Sequence, residues 1–150
     1  MAGIAQPAAD FDLQQLDSTT DSVLVDKHSL ADLQGQVVYL DFWASWCKPC
    51  RQSFPWMNRI STKYAEQGLV VLAINLDKES HLAKQFLAKY PAQFPIIYDP
   101  SGKIASQYRI PGMPTSYLID KHGQLRIAHK GFHLQKAPDY EAEIVSLLNE

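Results

Sequence analysis

The chain has 150 residues, of which 46% are hydrophobic and 20% are charged, and its formal net charge is -2. This length and composition predict one globular domain with a complete hydrophobic core. The scattered basic residues argue against nucleic-acid binding. The longest uncharged stretches, 67–76 and 110–119, reach only about half of the roughly 20 residues that a membrane helix needs.

Three elements are predicted before the first cysteine. Residues 22–26, "SVLVD", have the composition of a short strand, and residues 29–35, "SLADLQG", can form one or two helical turns between a capping serine and a terminal glycine. Residues 37–44, "VVYLDFWA", are β-branched and aromatic with little alternation. That pattern predicts a strand that is buried on both faces of a sheet.

A long helix is predicted to follow this strand, over residues 47–66. We expect it to end at Gly68 and to kink at Pro55, because proline cannot donate a hydrogen bond inside a helix. Residues 69–77, "LVVLAINLD", predict a second buried strand. Residues 80–90 carry apolar side chains at helical spacing, which predicts an amphipathic helix.

The last third of the chain predicts five shorter elements. Residues 94–99 favour a short strand and residues 101–109 a helix. Residues 115–120 and 125–132 flank the turn "KHGQ" and predict a β-hairpin, and residues 138–148 predict a final amphipathic helix. Strands that alternate with helices, followed by a hairpin and a helix, indicate an α/β sheet covered on both faces.

Both cysteines of the chain lie in the stretch "WASWCKPC", residues 43–50. A cysteine at the start of a helix has a lowered thiol pKa, because the helix N-terminus stabilises the thiolate. Lys48 adds a nearby cation, and Pro49 is tolerated in the first turn, where its missing N–H is not needed. We therefore predict that Cys47 is the attacking sulfur and that Cys50, deeper in the helix, is the resolving thiol.

The cysteine pair has two other interpretations. A CxxC can be half of a zinc site, and His129 and His133 have a spacing that zinc sites use. However, about 80 residues separate the two pairs, far more than in a compact zinc finger, so we predict no metal. A purely structural disulfide or an inert thiol pair is the second alternative.

The stretch "VYLDFWASWCKPCRQSFP", residues 38–55, resembles the active-site strand, loop and helix of the thioredoxin fold. The matching residues are Asp41, Phe42, Trp43, Ala44, Trp46, Cys47, Pro49, Cys50 and Pro55. Downstream, "GMPTSYLID" places Pro114 where that fold has a cis-proline facing the CxxC. The additional residues 78–100, and an extension before Val37, resemble the TlpA/ResA-like branch of exported, often membrane-tethered bacterial thiol-disulfide oxidoreductases.

This resemblance implies a thioredoxin fold over residues 1–150, with a central mixed sheet flanked by helices, an N-terminal extension and a central helix–strand insertion. It implies a thiol-disulfide oxidoreductase that exchanges its dithiol or disulfide with protein substrates, more readily as a reductase than as an oxidant. It also implies an upstream thiol-disulfide electron donor, no cofactor beyond the Cys47–Cys50 pair, and a monomer.

The resemblance gives Asp41 a specific role as proton acceptor and donor for Cys50. Asp41 lies in an otherwise apolar strand, and burial should raise its carboxyl pKa. Thioredoxin has a lysine near this carboxylate, and the corresponding residue is Ala73. An aspartate at the exposed end of the strand is the alternative.

The substrate is expected to bind between two loops. A cis bond before Pro114 would present the main chain of Met113, and Thr115 follows in the same loop; a substrate strand could pair there. Trp46 should form part of the same surface. The alternative is a simple turn proline.

The predicted location and the predicted activity both have alternatives. The start "MAGIAQPAADFDL" lacks the basic and apolar segments of a signal peptide. A cytoplasmic protein and an exported one whose signal is absent both fit, and two cysteines with none to spare favour export. The competing functions are a peroxiredoxin-like thiol peroxidase, a disulfide-forming oxidant and a non-catalytic binding domain.

Overall fold

A six-stranded mixed sheet forms the centre of the protein in a computed structural model, which describes residues 6–13, 24 and 26–150. The strands are β1 (Gln6–Pro7), β2 (Val37–Trp43), β3 (Leu69–Asn75), β4 (Ile96–Tyr98), β5 (Thr115–Ile119) and β6 (Gln124–Lys130). Their order across the sheet is β1-β6-β5-β2-β3-β4. Strands β2, β3 and β4 are parallel, while β5 and β6 form the predicted antiparallel hairpin.

Helices cover both faces of this sheet. The helices are α1 (Cys50–Lys63), α2 (Ser80–Lys89), α3 (Lys103–Tyr108) and α4 (Ala137–Leu148). Helices α1, α2 and α4 pack on one face, which we call the α1 face. Helix α3 and the 3-10 turn Leu30–Leu33 pack on the opposite face, which we call the α3 face. The prediction of a two-faced α/β sheet is therefore confirmed.

The two central strands are buried along their whole length, as their apolar sequences predict. Side chains of β2 alternate between the faces, so that Tyr39 and Trp43 join the core of the α1 face, while Leu40 and Phe42 join that of the α3 face. The strands therefore anchor the segment that follows Trp43 against two packed layers.

Helix α1 begins at Cys50, so the prediction of a start at Cys47 was wrong by three residues. Pro49 has no N–H, and the N–H of Cys50 donates to the carbonyl of Cys47 at 3.2 Å. Residues 47–49 therefore form a tight turn that leads into the helix. The helix ends at Lys63, and a 3-10 turn then leads to Gly68, whose φ of 105° completes the predicted stop.

Two further differences concern the N-terminal part. The strand predicted over 22–26 lies mostly outside the described residues. Strand β1 was not predicted: two residues, Gln6 and Pro7, pair with β6, and neither favours a strand by type. Phe11 and Leu13 pack into the α3-face core, so this extension adds to that face. The predicted additional segment 78–100 contains α2 and β4.

Candidate active site

The two cysteines form a disulfide in the turn between β2 and α1. Their Cα atoms lie 5.5 Å apart, within the usual range for a disulfide. Cys47 keeps 3% of its surface exposed, whereas Cys50 is fully buried. An incoming sulfur therefore has its access at Cys47, and Cys50 faces the interior.

The residues around Cys47 form an exposed rim. The side chain of Trp46 is 67% exposed, the largest exposure among the large hydrophobic residues described. Lys48 and Pro49 are exposed on the other side of Cys47. Trp43, by contrast, is buried and packs against the ring of Phe54 at 4.7 Å. The aromatic residue available to a partner is therefore Trp46.

A hydrogen-bond cluster that sequence reasoning missed holds this loop against β3. The carboxylate of Asp77 accepts from the backbone N–H of Ser45 at 2.9 Å and from its hydroxyl at 2.7 Å. The side-chain amide of Asn75 donates to the same carboxylate at 2.8 Å. The signal in the sequence was the pair of polar residues that ends the buried strand "LVVLAINLD".

The loop before β5 lies beside the disulfide turn. The bond between Met113 and Pro114 is cis. Thr115 pairs with Phe42, so this loop lies at the end of the sheet where β2 gives way to the cysteine turn. Met113 packs against the core cluster that includes both cysteines.

Polar groups of this loop differ in their hydrogen bonding. The hydroxyl of Thr115 donates to the Gly112 carbonyl at 2.6 Å, and the Pro114 carbonyl accepts from Gly131 at 2.7 Å. Within the described residues, the backbone N–H and C=O of Met113 have no hydrogen-bond partner. An extended peptide could pair with both groups.

Asp41 is buried on the α1 face of β2. It is 2% exposed, and its Oδ2 has no hydrogen-bond partner in the described part of the chain. Burial raises the pKa of this carboxyl well above its usual range, because the charged form loses its hydration. It lies two positions from both Tyr39 and Trp43 and shares their face of β2, so it faces the layer that contains Cys50. Its partner on β3 is Ala73, so the pair predicted from the sequence is in register.

The described residues form no cluster of potential metal ligands. Among these residues, no group of three or more His, Cys, Asp or Glu side chains is placed to hold a metal ion. His129 instead hydrogen-bonds Glu143 at 2.8 Å, while His133 is exposed. None of the described helices has the length and apolar character needed to cross a bilayer.

Comparison with known proteins places the chain in a family. Residues 4–128 match the model of the AhpC/TSA family. The chain belongs to the AhpC/TSA family. Two curated relatives within it are both named thiol-disulfide oxidoreductase ResA. The one from Oceanobacillus iheyensis is 35% identical over 81% of this chain and 62% of the relative, and the one from Bacillus cereus is 40% identical over 66% and 57%.

Solved structures related to this AhpC/TSA protein support the same assignment. One is a protein of Chlorobium tepidum, provisionally named thiol:disulfide interchange protein DsbE, with 42% identity, 99% coverage of both chains and a TM-score of 0.86. Another is the thioredoxin-like superfamily protein SPOA0173, with 30% identity, coverage of 97% and 98%, and a TM-score of 0.77. The predicted thioredoxin fold and the resemblance to ResA-like proteins are thus confirmed. The chain spans about three fifths of the length of the curated relatives it matches.

Proposed function

We propose that this domain is a thiol-disulfide oxidoreductase that acts as a reductase of protein disulfides. The observation that carries the proposal is the Cys47–Cys50 disulfide, which lies between an exposed rim and a buried carboxylate. The names of the ResA and DsbE relatives support the reaction class. Asp41 can take the Cys50 proton or return it, so the reductase direction is set by the reduction potential of the pair and by its partners.

The reaction would proceed in two exchanges. The Cys47 thiolate attacks a substrate disulfide, forms a mixed disulfide and releases one substrate thiolate, which takes a proton from water. Asp41 accepts the proton of the Cys50 thiol. The Cys50 thiolate then attacks the sulfur of Cys47 and displaces the second substrate thiolate. Two electrons pass to the substrate, and the domain becomes oxidised.

The exposed rim and the loop before β5 have proposed roles in this cycle. The exposed cation of Lys48 would stabilise the Cys47 thiolate slightly, and Pro49 fixes the turn between the cysteines. The unpaired main-chain groups of Met113 would pair with an extended substrate, with Pro114 and Thr115 holding the loop. Trp46 would contact the substrate beside its sulfur.

The cycle also requires partners. An upstream thiol-disulfide donor must reduce the domain again, because the structure holds only one dithiol pair. We propose an exported location, since both cysteines of the chain form this one pair, and a monomeric domain over residues 1–150. Cell fractionation with an antibody would test the location, and recovery of the protein in the cytoplasm would refute it. Light scattering would test the monomeric state. Coincidence of the unfolding transitions seen by different probes would test the single domain.

The reduction potential of the Cys47–Cys50 pair is the main test. The protein would be equilibrated with glutathione or dithiothreitol buffers, and tryptophan fluorescence would report the oxidised fraction. A value near ~-270 mV is expected for a reductant. A value near ~-120 mV would mean that the domain makes disulfides, and the proposed direction would be abandoned.

Cysteine variants test the two sulfur roles. With a fluorescent disulfide peptide, the Cys50→Ser variant should accumulate a mixed disulfide on Cys47, because no resolving thiol remains. The matched Cys47→Ser variant should accumulate none. Consumption of hydrogen peroxide by the wild-type domain at rates comparable with peptide reduction would instead favour a thiol peroxidase.

A further inference from the structure

A row of buried polar side chains crosses the α1 face of the sheet. Asp41 on β2 pairs with Ser116 on β5, and Ser116 pairs with His129 on β6. Residues directly opposite each other on neighbouring strands project to the same face, with Cβ atoms about 4.5–5.5 Å apart. The three residues are 2%, 3% and 4% exposed. Ser116 therefore stands between an acid and an imidazole.

Hydrogen bonds in this row are incomplete at two atoms. The Tyr39 hydroxyl and the Ser116 hydroxyl are 3.0 Å apart, and when Tyr39 donates, the hydrogen of Ser116 is free to point along the row. Asp41 Oδ2 and His129 Nδ1 are buried without a partner in the described part of the protein. Buried polar atoms without a partner destabilise the folded state, so their presence on both sides of one hydroxyl calls for an explanation.

The outer end of the row reaches the surface on α4. His129 Nε2 lies 2.8 Å from Glu143 Oε1, and the Glu143 side chain is 27% exposed. The Tyr140 ring packs on the imidazole at 4.4 Å and covers it from α4. With Nε2–H donated to Glu143, the buried Nδ1 carries a lone pair that can accept a proton.

We propose that Ser116, His129 and Glu143 form a proton path between Asp41 and solvent. The proposal rests on the proton-accepting role of Asp41 proposed above. After Asp41 takes the Cys50 proton, side-chain rotation must bring Asp41 and His129 Nδ1 within hydrogen-bond distance of Ser116, because neither bond is present in the structure. Asp41 then donates that proton to the Ser116 oxygen, while the Ser116 hydrogen moves to His129 Nδ1. The imidazolium then releases its Nε2 proton to Glu143, which passes it to water. One proton enters and one leaves, and no electron moves.

The same path returns the proton when the domain is reduced again. The Cys50 sulfur then leaves as a thiolate and needs a proton. One proton moves from Glu143 to Nε2 of His129, and another moves from Nδ1 through Ser116 to Asp41, which supplies it. Each passage reverses the tautomer of His129, so the outward and inward transfers restore the starting state once per catalytic cycle.

The charges around His129 are consistent with this use. Burial lowers the pKa of His129, although the hydrogen bond to Glu143 opposes the change, so the ring is neutral at neutral pH. Ser116 from β5, Tyr140 from α4 and Lys136 from the turn before α4 also face it. The cavity beside His129 is also lined by Lys130, His133 and Asp139. Asp41 and Tyr39 follow on β2.

Single-turnover kinetics would test the path. The dithiol form would be mixed with a disulfide peptide, and tryptophan fluorescence would follow its oxidation between pH 5 and pH 9, in H₂O and in D₂O. We expect Ser116→Ala, His129→Gln and Glu143→Gln to slow the step about tenfold or more, and to change the pH profile and the solvent isotope effect. The pH dependence of Cys47 alkylation should stay unchanged, because Cys47 is not on the path.

Two matched controls separate proton transfer from packing. Tyr117→Phe removes a buried hydrogen bond from the opposite face of the same strand, next to Ser116, so it should keep the wild-type rate. His81→Gln changes an exposed histidine on α2, outside the cavity that His129 and Glu143 line, and should also be silent. If His129→Gln does not fold, Ser116→Ala and the surface variant Glu143→Gln carry the test.

The outcomes distinguish this proposal from the one on which it rests. If Asp41→Asn slows oxidation while the three path variants keep the wild-type rate, pH profile and isotope effect, the path is refuted and the role of Asp41 stands. If Asp41→Asn also behaves as wild type, both are refuted. Slowing by Tyr117→Phe equal to that of Ser116→Ala would show that any lost hydrogen bond in β5 slows the step, which also overturns the path.

Discussion

The two faces of the central sheet solve the problem of buried polar groups differently. On the α3 face, the hydroxyl of Tyr117 donates to the carbonyl of Tyr108, and the hydroxyl of Tyr108 donates to that of Ala9. On the α1 face lie all four buried side-chain atoms that lack a partner among the described residues. They are Asp41 Oδ2, Trp43 Nε1, Trp56 Nε1 and His129 Nδ1.

This difference is notable because the same strands build both faces. Leu40 and Phe42 of β2 point to the α3 face, while Asp41 between them points to the α1 face. Polar atoms without partners reduce stability, so a face that keeps several of them is not optimised for packing alone. Both faces are packed, and the α1 face also holds the residues of the proposed chemistry.

The largest effect should come from damage to the α3 face. Leu72 is fully buried there, and Leu72→Ala should lower the free energy of unfolding by about 2–5 kcal/mol because it leaves a cavity. Urea denaturation would measure this loss, and Leu134→Ala, at a leucine that is 53% exposed, is the control. Peptide reduction per folded molecule should not change. A large fall in that rate would break the division between the faces.

A smaller, pH-dependent effect should come from Asp41. Its carboxyl has a higher pKa in the folded than in the unfolded protein, so the folded state binds more protons between the two values. Stability should therefore fall as pH rises above about 4, by about 1.4 kcal/mol per pKa unit of difference. Asp41→Asn should remove this fall. Urea denaturation of the oxidised protein at several pH values would measure it, and parallel curves for both proteins would contradict the prediction.

The smallest effect should come from the exposed ion pairs that connect α4 to α1 on the α1 face. Glu141 accepts from Arg59, Lys63 and Tyr64, and these contacts lower its pKa to about 2, with Lys63 the largest cause. The stabilisation should be present above the ordinary carboxyl pKa and should disappear as pH falls towards 2. Glu141→Gln should cost about 1 kcal/mol or less at neutral pH, because such pairs are solvated.

A control sharpens this third prediction. Glu66→Gln changes an exposed glutamate and should leave the unfolding free energy unchanged. The difference between Glu141→Gln and wild type should shrink in 1 M salt, since screening weakens exposed pairs. If the unfolding free energies of Glu141→Gln and wild type still differ in 1 M salt at pH 2, Glu141 stabilises the protein by packing instead.

Much of the fold followed from local patterns, and the site only in part. The apolar runs of β2 and β3, the hairpin turn and the glycine stop at Gly68 are features of neighbouring residues, so the sequence predicts them. The row from Asp41 to His129 depends on register across three strands. A bulge between Leu118 and Ile119 shifts the hairpin pairing, and a residue pattern cannot show where such a shift occurs.

The start of α1 shows a second limit. The sequence predicted a helix from Cys47, because a cysteine at a helix start explains its reactivity. The N–H groups of Cys50 and Arg51 donate to carbonyls three residues earlier, so residues 47–49 form a turn and the first helical residue is Cys50. The cysteines therefore lie on either side of the boundary. The role of Asp77 could not be predicted either, because its hydrogen-bond partner Ser45 is 32 positions away in the sequence.

The outer strands of the sheet bear on how such a domain can meet unfolded client chains. Strand β1 has two residues, one of them a proline, and β4 has three. Each covers its neighbour only in part, since β1 pairs with Gln124 and Leu125 of β6, and β4 pairs with residues 73–75 of β3. Among the described residues, the outer edge of β6 over 126–130 has no strand beside it and offers backbone for pairing with another chain. Under the proposed function, a client chain could pair at this edge as well as at the Met113 loop, and only the loop lies beside the reactive sulfur.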